Sequence, residues 1–345
     1  MAHTVNIRQA NRQIVVEPGR TVLETALEQG IAYPHGCRSG RCGSCKSRLI
    51  EGDVDLLPHT PFALSPEERA SGLILACRAQ PKSDATVAWL GKQDEADHPV
   101  RSFPARVVAL DEATHDIRRV RLAPDSGEPL SFSAGQYARL SFAGAPTRDY
   151  SMANQPGDAV LEFHVRRVPG GATSARVANG LAVGDRVTVE GPFGSSFLRH
   201  RHTGPMLVVA GGSGMAPMKS IVEAALHHGF RQPIRFYFGV RQARDLYLVD
   251  HFEGLSTRHP NLTFVPVLSQ AESDVHRAGL VTDAIAEDLD ALRGWKAYMA
   301  GPPAMTDAAA PLVFERSLPA DDLHVDVFFT PEATAAPAEP EKEAV

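Results

Sequence analysis

Residues 34–46 read Pro34-His35-Gly36-Cys37-Arg38-Ser39-Gly40-Arg41-Cys42-Gly43-Ser44-Cys45-Lys46, and a fourth cysteine follows in Leu75-Ala76-Cys77. Cys37, Cys42 and Cys45 stand as C-x4-C-x2-C with Cys77 completing the set, the spacing of a plant-type 2Fe-2S site. Three thiolates on one tight loop must converge on a small body while the fourth arrives from elsewhere. Gly36, Gly40 and Gly43 let the loop fold back without Cβ clashes and bring backbone N–H groups toward sulfur. Tetrahedral zinc is the alternative for four thiolates, but zinc sites usually show two closely spaced pairs rather than a three-plus-one split. His35 reads as a surface histidine, because four thiolates already suffice.

Around this loop, Val5-Asn6-Ile7 and Ile14-Val15-Val16 read as a strand hairpin. Thr21-Val22-Leu23-Glu24 is a capping box that opens a helix with Val22, Leu23, Ala26 and Leu27 on its apolar face and Gly30 as its stop. Ser65-Pro66-Glu67-Glu68 repeats the helix-start signal. The cysteines thus belong to an α+β domain over residues 1–92, which carries 11 Lys/Arg against 9 Asp/Glu. Arg38, Arg41, Lys46 and Arg48 crowd the loop. They read either as solvated charge with hydrogen bonds to the loop or as an electropositive docking face for an acidic partner.

Further out, residues 93–101 (QDEADHPVR) are polar and read as a linker. From 102 to 203, short alternating runs at 106–108, 119–122, 137–140, 161–165 and 186–189 are broken by Gly and Pro, which predicts a small antiparallel β-barrel. From 204 to 330 strands alternate with helices. Strands are expected at 206–210, 234–240, 262–268, 295–301 and 324–329, with helices to 228, near 246–255, at 282–289 and to 316. That alternation predicts an α/β doubly wound parallel sheet. Residues 331–345, rich in Ala, Pro and Glu, read as a disordered tail, and no internal repeat is found.

The 345 residues, 43% hydrophobic and 22% charged, suit a globular protein of two or three domains. A net charge of −6 leaves no nucleic-acid footprint. No apolar run approaches the roughly 18 residues of a membrane span, the start lacks a leader pattern, and all cysteines fall within the first 77 residues. The expectation is a cytoplasmic protein with no membrane association.

Arg148-Asp149-Tyr150-Ser151 offers a cation for a pyrophosphate, a flat ring for stacking and a hydroxyl for a flavin ring nitrogen. The segment His164-Val165-Arg166-Arg167-Val168-Pro169-Gly170-Gly171-Ala172-Thr173-Ser174 adds two glycines and two hydroxyls able to cradle phosphate. The plain alternatives are a strand-edge arginine and an ordinary Gly-rich turn. Gly211-Gly212-Ser213-Gly214-Met215-Ala216-Pro217 follows an apolar strand and opens a helix, as a dinucleotide turn does, with Pro217 where the Rossmann fingerprint has its third glycine. A tight strand-to-helix turn is the alternative there. A second glycine turn, Gly301-Pro302, follows a later strand, and open α/β sheets bind ligands where such strand ends meet. Gly239-Val240-Arg241 lacks the acidic residue that would hold an NADH ribose, and Arg241 and Arg244 suit a 2′-phosphate instead.

With these sites in place, the chain resembles the reductase components of multicomponent aromatic, ring-hydroxylating oxygenases of naphthalene-dioxygenase type, over residues 5 to 330. The resemblance rests on CRSGRCGSC (37–45) with LAC (75–77), THDIRR (114–119), RDYSMAN (148–154), HVRRVPGG (164–171), GGSGMAP (211–217), YFGVR (237–241) and AGPPAM (300–305). It implies a β-grasp ferredoxin domain, an FAD barrel and an NAD domain. The cofactors would be a 2Fe-2S cluster on Cys37, Cys42, Cys45 and Cys77, FAD and NADH, with NADPH left open by Arg241. Tyr150 and Ser151 would face the isoalloxazine and Phe328, rather than its neighbour Phe329, would cover it. Arg148 would meet the FAD pyrophosphate, and His164, Arg166, Gly171, Thr173 and Ser174 would complete that site. Gly212, Gly214, Pro217, Arg241, Gly301 and Pro302 would hold the nicotinamide cofactor. Ala300 stands where the family usually has cysteine, so altered hydride-transfer kinetics are expected. The implied partner is a terminal Rieske-type aromatic-ring dioxygenase, reached directly or through a separate ferredoxin. A haem-thiolate or di-iron monooxygenase, such as an aromatic O-demethylase, or a small substrate of its own are the alternatives. A monomer suffices for the circuit.

Overall fold

The computed structural model describes residues 1–61, 63–90, 98–270 and 275–328. Phe329, the tail at 331–345 and most of the expected linker, 93–97, lie outside the described residues.

The first sheet runs in the order Arg12–Val16, His3–Ile7, Ala85–Trp89, Lys46–Glu51, Leu73–Leu75. Its His3–Ile7 and Ala85–Trp89 strands are parallel and its other pairs antiparallel. The helix Val22–Glu28 lies against it because Val22, Leu23 and Ala26 share one face and are buried with Val5, Ile7 and Ile14. Both capping boxes form. Thr21 Oγ1 accepts from the Glu24 N–H while the Thr21 N–H donates to Glu24 Oε2, and Ser65 and Glu68 do the same for the helix Pro66–Ala70. Gly30 follows the helix at a φ of 73°, a left-handed stop.

The second sheet is antiparallel, in the order Arg148–Ser151, Tyr137–Phe142, Arg186–Phe193, Arg101–Glu112, Ile117–Pro124, Leu161–Arg166. A bridge between Met152 and Phe163 brings the two edges together, so the sheet nearly closes as a barrel. Two local readings change. Arg148–Ser151 is a strand in its own right, and Ala172–Gly180, read as part of a Gly-rich turn, is a helix.

The third sheet is wholly parallel, in the order Arg277–Ala278, Leu262–Leu268, Ile234–Val240, Met206–Gly211, Lys296–Gly301, Leu323–Val327. Met206–Gly211 is buried throughout, as a central parallel strand covered on both faces must be. The strand order reverses between Met206–Gly211 and Lys296–Gly301, so both glycine turns open at one switch point. The helix expected near 246–255 is Val249–Arg258, because Asp245 accepts the Gln242 N–H in a short turn and Leu248 takes a left-handed φ of 59° before the helix starts. The helix Met215–His227 is buried at every position through Leu226, held between this sheet and the barrel. Lys219 Nζ donates to the Ala153 carbonyl at 3.0 Å and Ser220 Oγ to that of Asn154 at 2.7 Å. Among the described residues no helix is long and apolar enough to cross a membrane.

Candidate functional site

The four cysteines fall into two neighbouring pairs, Cys37 with Cys42 and Cys45 with Cys77, each joined by a backbone N–H to sulfur bond. Among the described residues no three of His, Cys, Asp and Glu gather where one metal ion could sit. A dinuclear cluster takes two thiolates on each iron, and the pairing suits a 2Fe-2S cluster. Backbone N–H groups already point at sulfur: Cys37 to Cys42 Sγ at 3.3 Å, Arg41 to Cys37 Sγ at 3.3 Å and Cys77 to Cys45 Sγ at 3.4 Å. Gly40 sits at a φ of 75°, with His59 and Arg78 packed where a side chain would go. Cys45 and Cys77 lie in the core of the first domain. Cys37 and Cys42 instead pack against the apolar cluster that includes Val325 and Val327, in the last strand of the parallel sheet.

That contact corrects two expectations. His35 is buried, not on the surface, because the barrel covers it. Its Nδ1 bonds the Tyr33 carbonyl at 2.8 Å and its Nε2 lies 3.2 Å from Tyr137 Oη, and burial lowers its pKa to about 4. The loop cations are also not a free docking face. Arg38 donates to Tyr137 Oη at 2.9 Å and pairs with Asp149 at 3.8 Å, Arg41 pairs with Asp307, and Lys46 pairs with Glu68 at 2.6 Å. Arg48 alone of the four is exposed, donating to the Ser71 carbonyl at 3.0 Å.

On the barrel, Ser151 Oγ donates to Asp326 Oδ2 at 2.9 Å. Tyr150 is half-buried beside it, its hydroxyl pushed up to about 12 by burial. Thr173 Oγ1 donates to the Pro146 carbonyl at 2.6 Å, which lays the start of the helix Ala172–Gly180 against the foot of the strand bearing the exposed Arg148. That helix begins at Gly171 with no side-chain cap, so its first-turn N–H groups and the Arg148 cation suit a pyrophosphate. The hydroxyls themselves are spent. Thr173 holds Pro146, and Ser174 Oγ accepts the Val168 N–H at 3.1 Å and bonds the Gly171 carbonyl at 3.0 Å, so both shape the turn and leave phosphate to the backbone. His164 offers a cofactor nothing either. Its ring is buried with Nδ1 on Tyr247 Oη at 3.0 Å and Nε2 on Glu162 Oε1 at 2.9 Å. Arg166 donates through Nε to Asp116 at 2.7 Å and extends Nη1 toward Gly212, across the gap between barrel and parallel sheet.

At the switch point, the helix Met215–His227 also starts from a glycine, Gly214, without a side-chain cap, and Pro217 is buried in its first turn. Gly214 has a second constraint that its sequence did not reveal. A Cβ there would collide with the Ala300 carbonyl oxygen, and one at Gly211 would lie 2.7 Å from Met305 Sδ. The two turns are therefore packed against each other. Ala300 is fully buried between them. Phe328 donates its N–H to the Gly301 carbonyl at 2.8 Å and packs on the core of the same sheet. Arg241 and Arg244 are exposed just past the end of Ile234–Val240, and Pro302 starts the helix Pro303–Glu315.

Asp326 escaped the sequence reading. Half-buried on the strand Leu323–Val327, it has its pKa raised to about 6, by desolvation first and further by Cys37 and Asp149, against the Ser151 hydrogen bond. Its one signal was an acid inside an apolar strand, two residues before Phe328. Tyr137, Asp149 and Asp307 were missed as well, and nothing local marks them. The strand Leu323–Val327 is where the parts meet: its Asp326 feels the nearby Cys37 and accepts from the barrel serine, and Phe328 follows its end.

Three family descriptions match the chain: "2Fe-2S iron-sulfur cluster binding domain" over residues 5–82, "Oxidoreductase FAD-binding domain" over 104–197 and "Oxidoreductase NAD-binding domain" over 208–310. The chain is 41% identical over 324 residues to the ferredoxin–NAD(P)+ reductase component of naphthalene 1,2-dioxygenase/salicylate 5-hydroxylase systems of Ralstonia sp., covering 94% of this chain and 98% of that one. It is 40% identical over 331 residues to the reductase subunit of an aromatic O-demethylase of Amycolatopsis sp., again covering 94% and 98%. Among solved structures it resembles the Amycolatopsis cytochrome P450 reductase, with a TM-score of 0.75, 40% identity and coverage of 94% and 98%.

Proposed function

The chain belongs to the iron–sulfur flavoprotein reductase components of multicomponent oxygenase systems, which pass electrons from NAD(P)H through FAD and a 2Fe-2S cluster, and from that premise we propose a specific donor, acceptor and set of residues. The donor is NADH and the acceptor a Rieske-type aromatic-ring dioxygenase, directly or through a separate ferredoxin. The likeness to the Ralstonia component supports this choice. The equal likeness to the Amycolatopsis subunit and P450 reductase favours a second reading, a haem-thiolate monooxygenase as acceptor. The same modules, 1–92, 102–203 and 204–330, serve either, in a cytoplasmic setting that suits four free thiols.

A nicotinamide releases two electrons together as hydride and a 2Fe-2S cluster takes one, and a flavin between them supplies that conversion. The protein's part is placement. Cys37, Cys42, Cys45 and Cys77 hold the cluster in two pairs. Arg148 and the open helix start after Gly171 hold the FAD pyrophosphate, Tyr150 supplies a ring to stack on, and Ser151 presents a hydroxyl whose partner is Asp326. Gly212, Gly214, Gly301 and Pro302 shape the nicotinamide cleft, Arg166 reaches it from the barrel, and Phe328 shields the flavin's exposed face from water. Arg241 sits where the far ribose would lie.

The observation that supports this reading is the strand Leu323–Val327, whose Asp326 accepts from Ser151 and feels the nearby Cys37, and whose Val325 and Val327 belong to the apolar cluster against which Cys37 and Cys42 pack. Anaerobic titration of the purified protein with NADH tests it. Flavin and 2Fe-2S bands that bleach in turn are expected, and a colourless, zinc-loaded protein overturns it. Comparing kcat/KM for NADH and NADPH in the wild type and Arg241→Ala settles the donor. Supplying each candidate oxygenase in turn settles the acceptor.

A further inference from the structure

We propose that Arg38 and Arg41 are positioning residues for the electron step between flavin and cluster, clamping the cysteine loop to the flavin strand on one side and to the nucleotide domain on the other. The inference rests on the reductase reading above and adds to it the residues that fix the distance electrons cross.

The two arginines flank the loop between Cys37 and Cys42, and each leaves its own domain. Arg38 adopts a φ of 55°, a left-handed conformation that a side chain with a Cβ resists and that persists only where the surroundings impose it. Its guanidinium donates to Tyr137 Oη at 2.9 Å, lies 3.3 Å from His35 Nε2 and pairs with Asp149 at 3.8 Å. The tautomer is consistent throughout: His35 Nδ1–H donates to the Tyr33 carbonyl, which leaves Nε2 to accept from Arg38 or Tyr137. Tyr137 stands directly opposite Ser151 in the strand register, and Asp149 is two residues before it on the same strand. The Arg38 contacts therefore end on two paired strands, Tyr137–Phe142 and Arg148–Ser151, the second of which presents the flavin hydroxyl. Ser195 Oγ adds a further barrel contact, donating to the His35 carbonyl at 3.1 Å.

Arg41 works in the other direction. Its backbone N–H donates to Cys37 Sγ, while its side chain pairs with Asp307 on the helix Pro303–Glu315, which starts at the second glycine turn. A loop held at both ends in this way has little freedom to rock between the domains. The step it governs is simple in balance. The hydride from NADH brings two electrons to the flavin, each cluster reduction removes one, and after two such steps the proton is left to solvent. Tunnelling between the two centres falls steeply with separation, so a loosened loop slows this step and no other.

The test uses the holoenzyme and three variants: Tyr137→Phe, which removes one oxygen and keeps the ring, Asp307→Asn, and the two combined. Anaerobic stopped-flow with NADH separates flavin bleaching from cluster reduction. Flavin bleaching is expected within twofold of wild type, while cluster reduction falls by roughly tenfold or more in the double variant. Amide hydrogen exchange at residues 36–44 and 137–142 is expected to rise together, with the cluster's electron paramagnetic resonance signal and midpoint potential unchanged. Wild-type cluster reduction and wild-type exchange in the double variant overturn the proposal, as does a slowed step accompanied by an altered cluster potential. If the wild type itself fails to bleach with NADH, the reductase reading fails, while the exchange measurement still decides whether the clamp exists.

Discussion

The helices of the cysteine domain and those at the cofactor clefts begin in opposite ways. Val22–Glu28 and Pro66–Ala70 each start with a complete capping box, in which the third helical N–H and the cap residue's own N–H are both bonded by side chains. Ala172–Gly180 and Met215–His227 start from Gly171 and Gly214, which offer no side chain; the start after Gly171 keeps its first-turn N–H groups open, whereas the Met215 N–H already meets the Gly212 carbonyl and Pro217 has no N–H to offer. The first pair close part of their own ends with side chains, and the start after Gly171 is left for the anion proposed there. Local stability and ligand affinity are thus written into the same four-residue window in opposite terms.

The strongest way to break this contrast is Gly214→Ala. The new methyl meets the Ala300 carbonyl, so the nucleotide domain is expected to lose about 3 kcal/mol or more in denaturant unfolding, along with NADH-driven bleaching. Next in size is Asp326→Asn, which removes the half-buried acid from the open side. The folded pKa of Asp326, about 6, lies above its unfolded value, so its contribution is fully present below about pH 4 and is lost as pH rises through 6. Relative to wild type, the variant should gain up to about 3 kcal/mol between pH 4 and pH 7. An unchanged slope in paired melts across that window removes the assignment. Gly171→Asp converts an open start into a capped one and sets a carboxylate where the FAD pyrophosphate belongs. FAD affinity should drop roughly tenfold or more by fluorescence titration; the new Cβ would lie 2.7 Å from Ser174 Oγ and 3.1 Å from the Val168 carbonyl oxygen, so some apoprotein stability is lost as well. The smallest effect is expected from Thr21→Ala, about 1 kcal/mol of stability with flavin reduction untouched.

Much of this was legible because it is local. The cysteine spacing, both capping boxes, the barrel alternation and the strand–helix rhythm each sit within a few residues, and periodicity alone exposes them. What escaped was decided by docking. Arg38 meets Tyr137 across 99 positions and Arg41 meets Asp307 across 266, and no pattern around either arginine separates a solvated cation from a buried clamp. His35 failed for the same reason, since its cover comes from the barrel. For His164, Thr173 and Ser174 composition shows that a hydroxyl or imidazole is present and not which neighbour it bonds within the fold.

The buried helix Met215–His227 sets where this molecule can be divided. Freed from the barrel, it would present to water an apolar face together with Lys219 and Ser220, whose carbonyl partners belong to Ala153 and Asn154. Barrel and parallel sheet therefore have to be inherited, expressed or transplanted as one piece. A chimera that exchanges residues 1–90 for another redox carrier cuts through a few polar contacts and the packing of Cys37 and Cys42, whereas one joined near residue 204 cuts through the core.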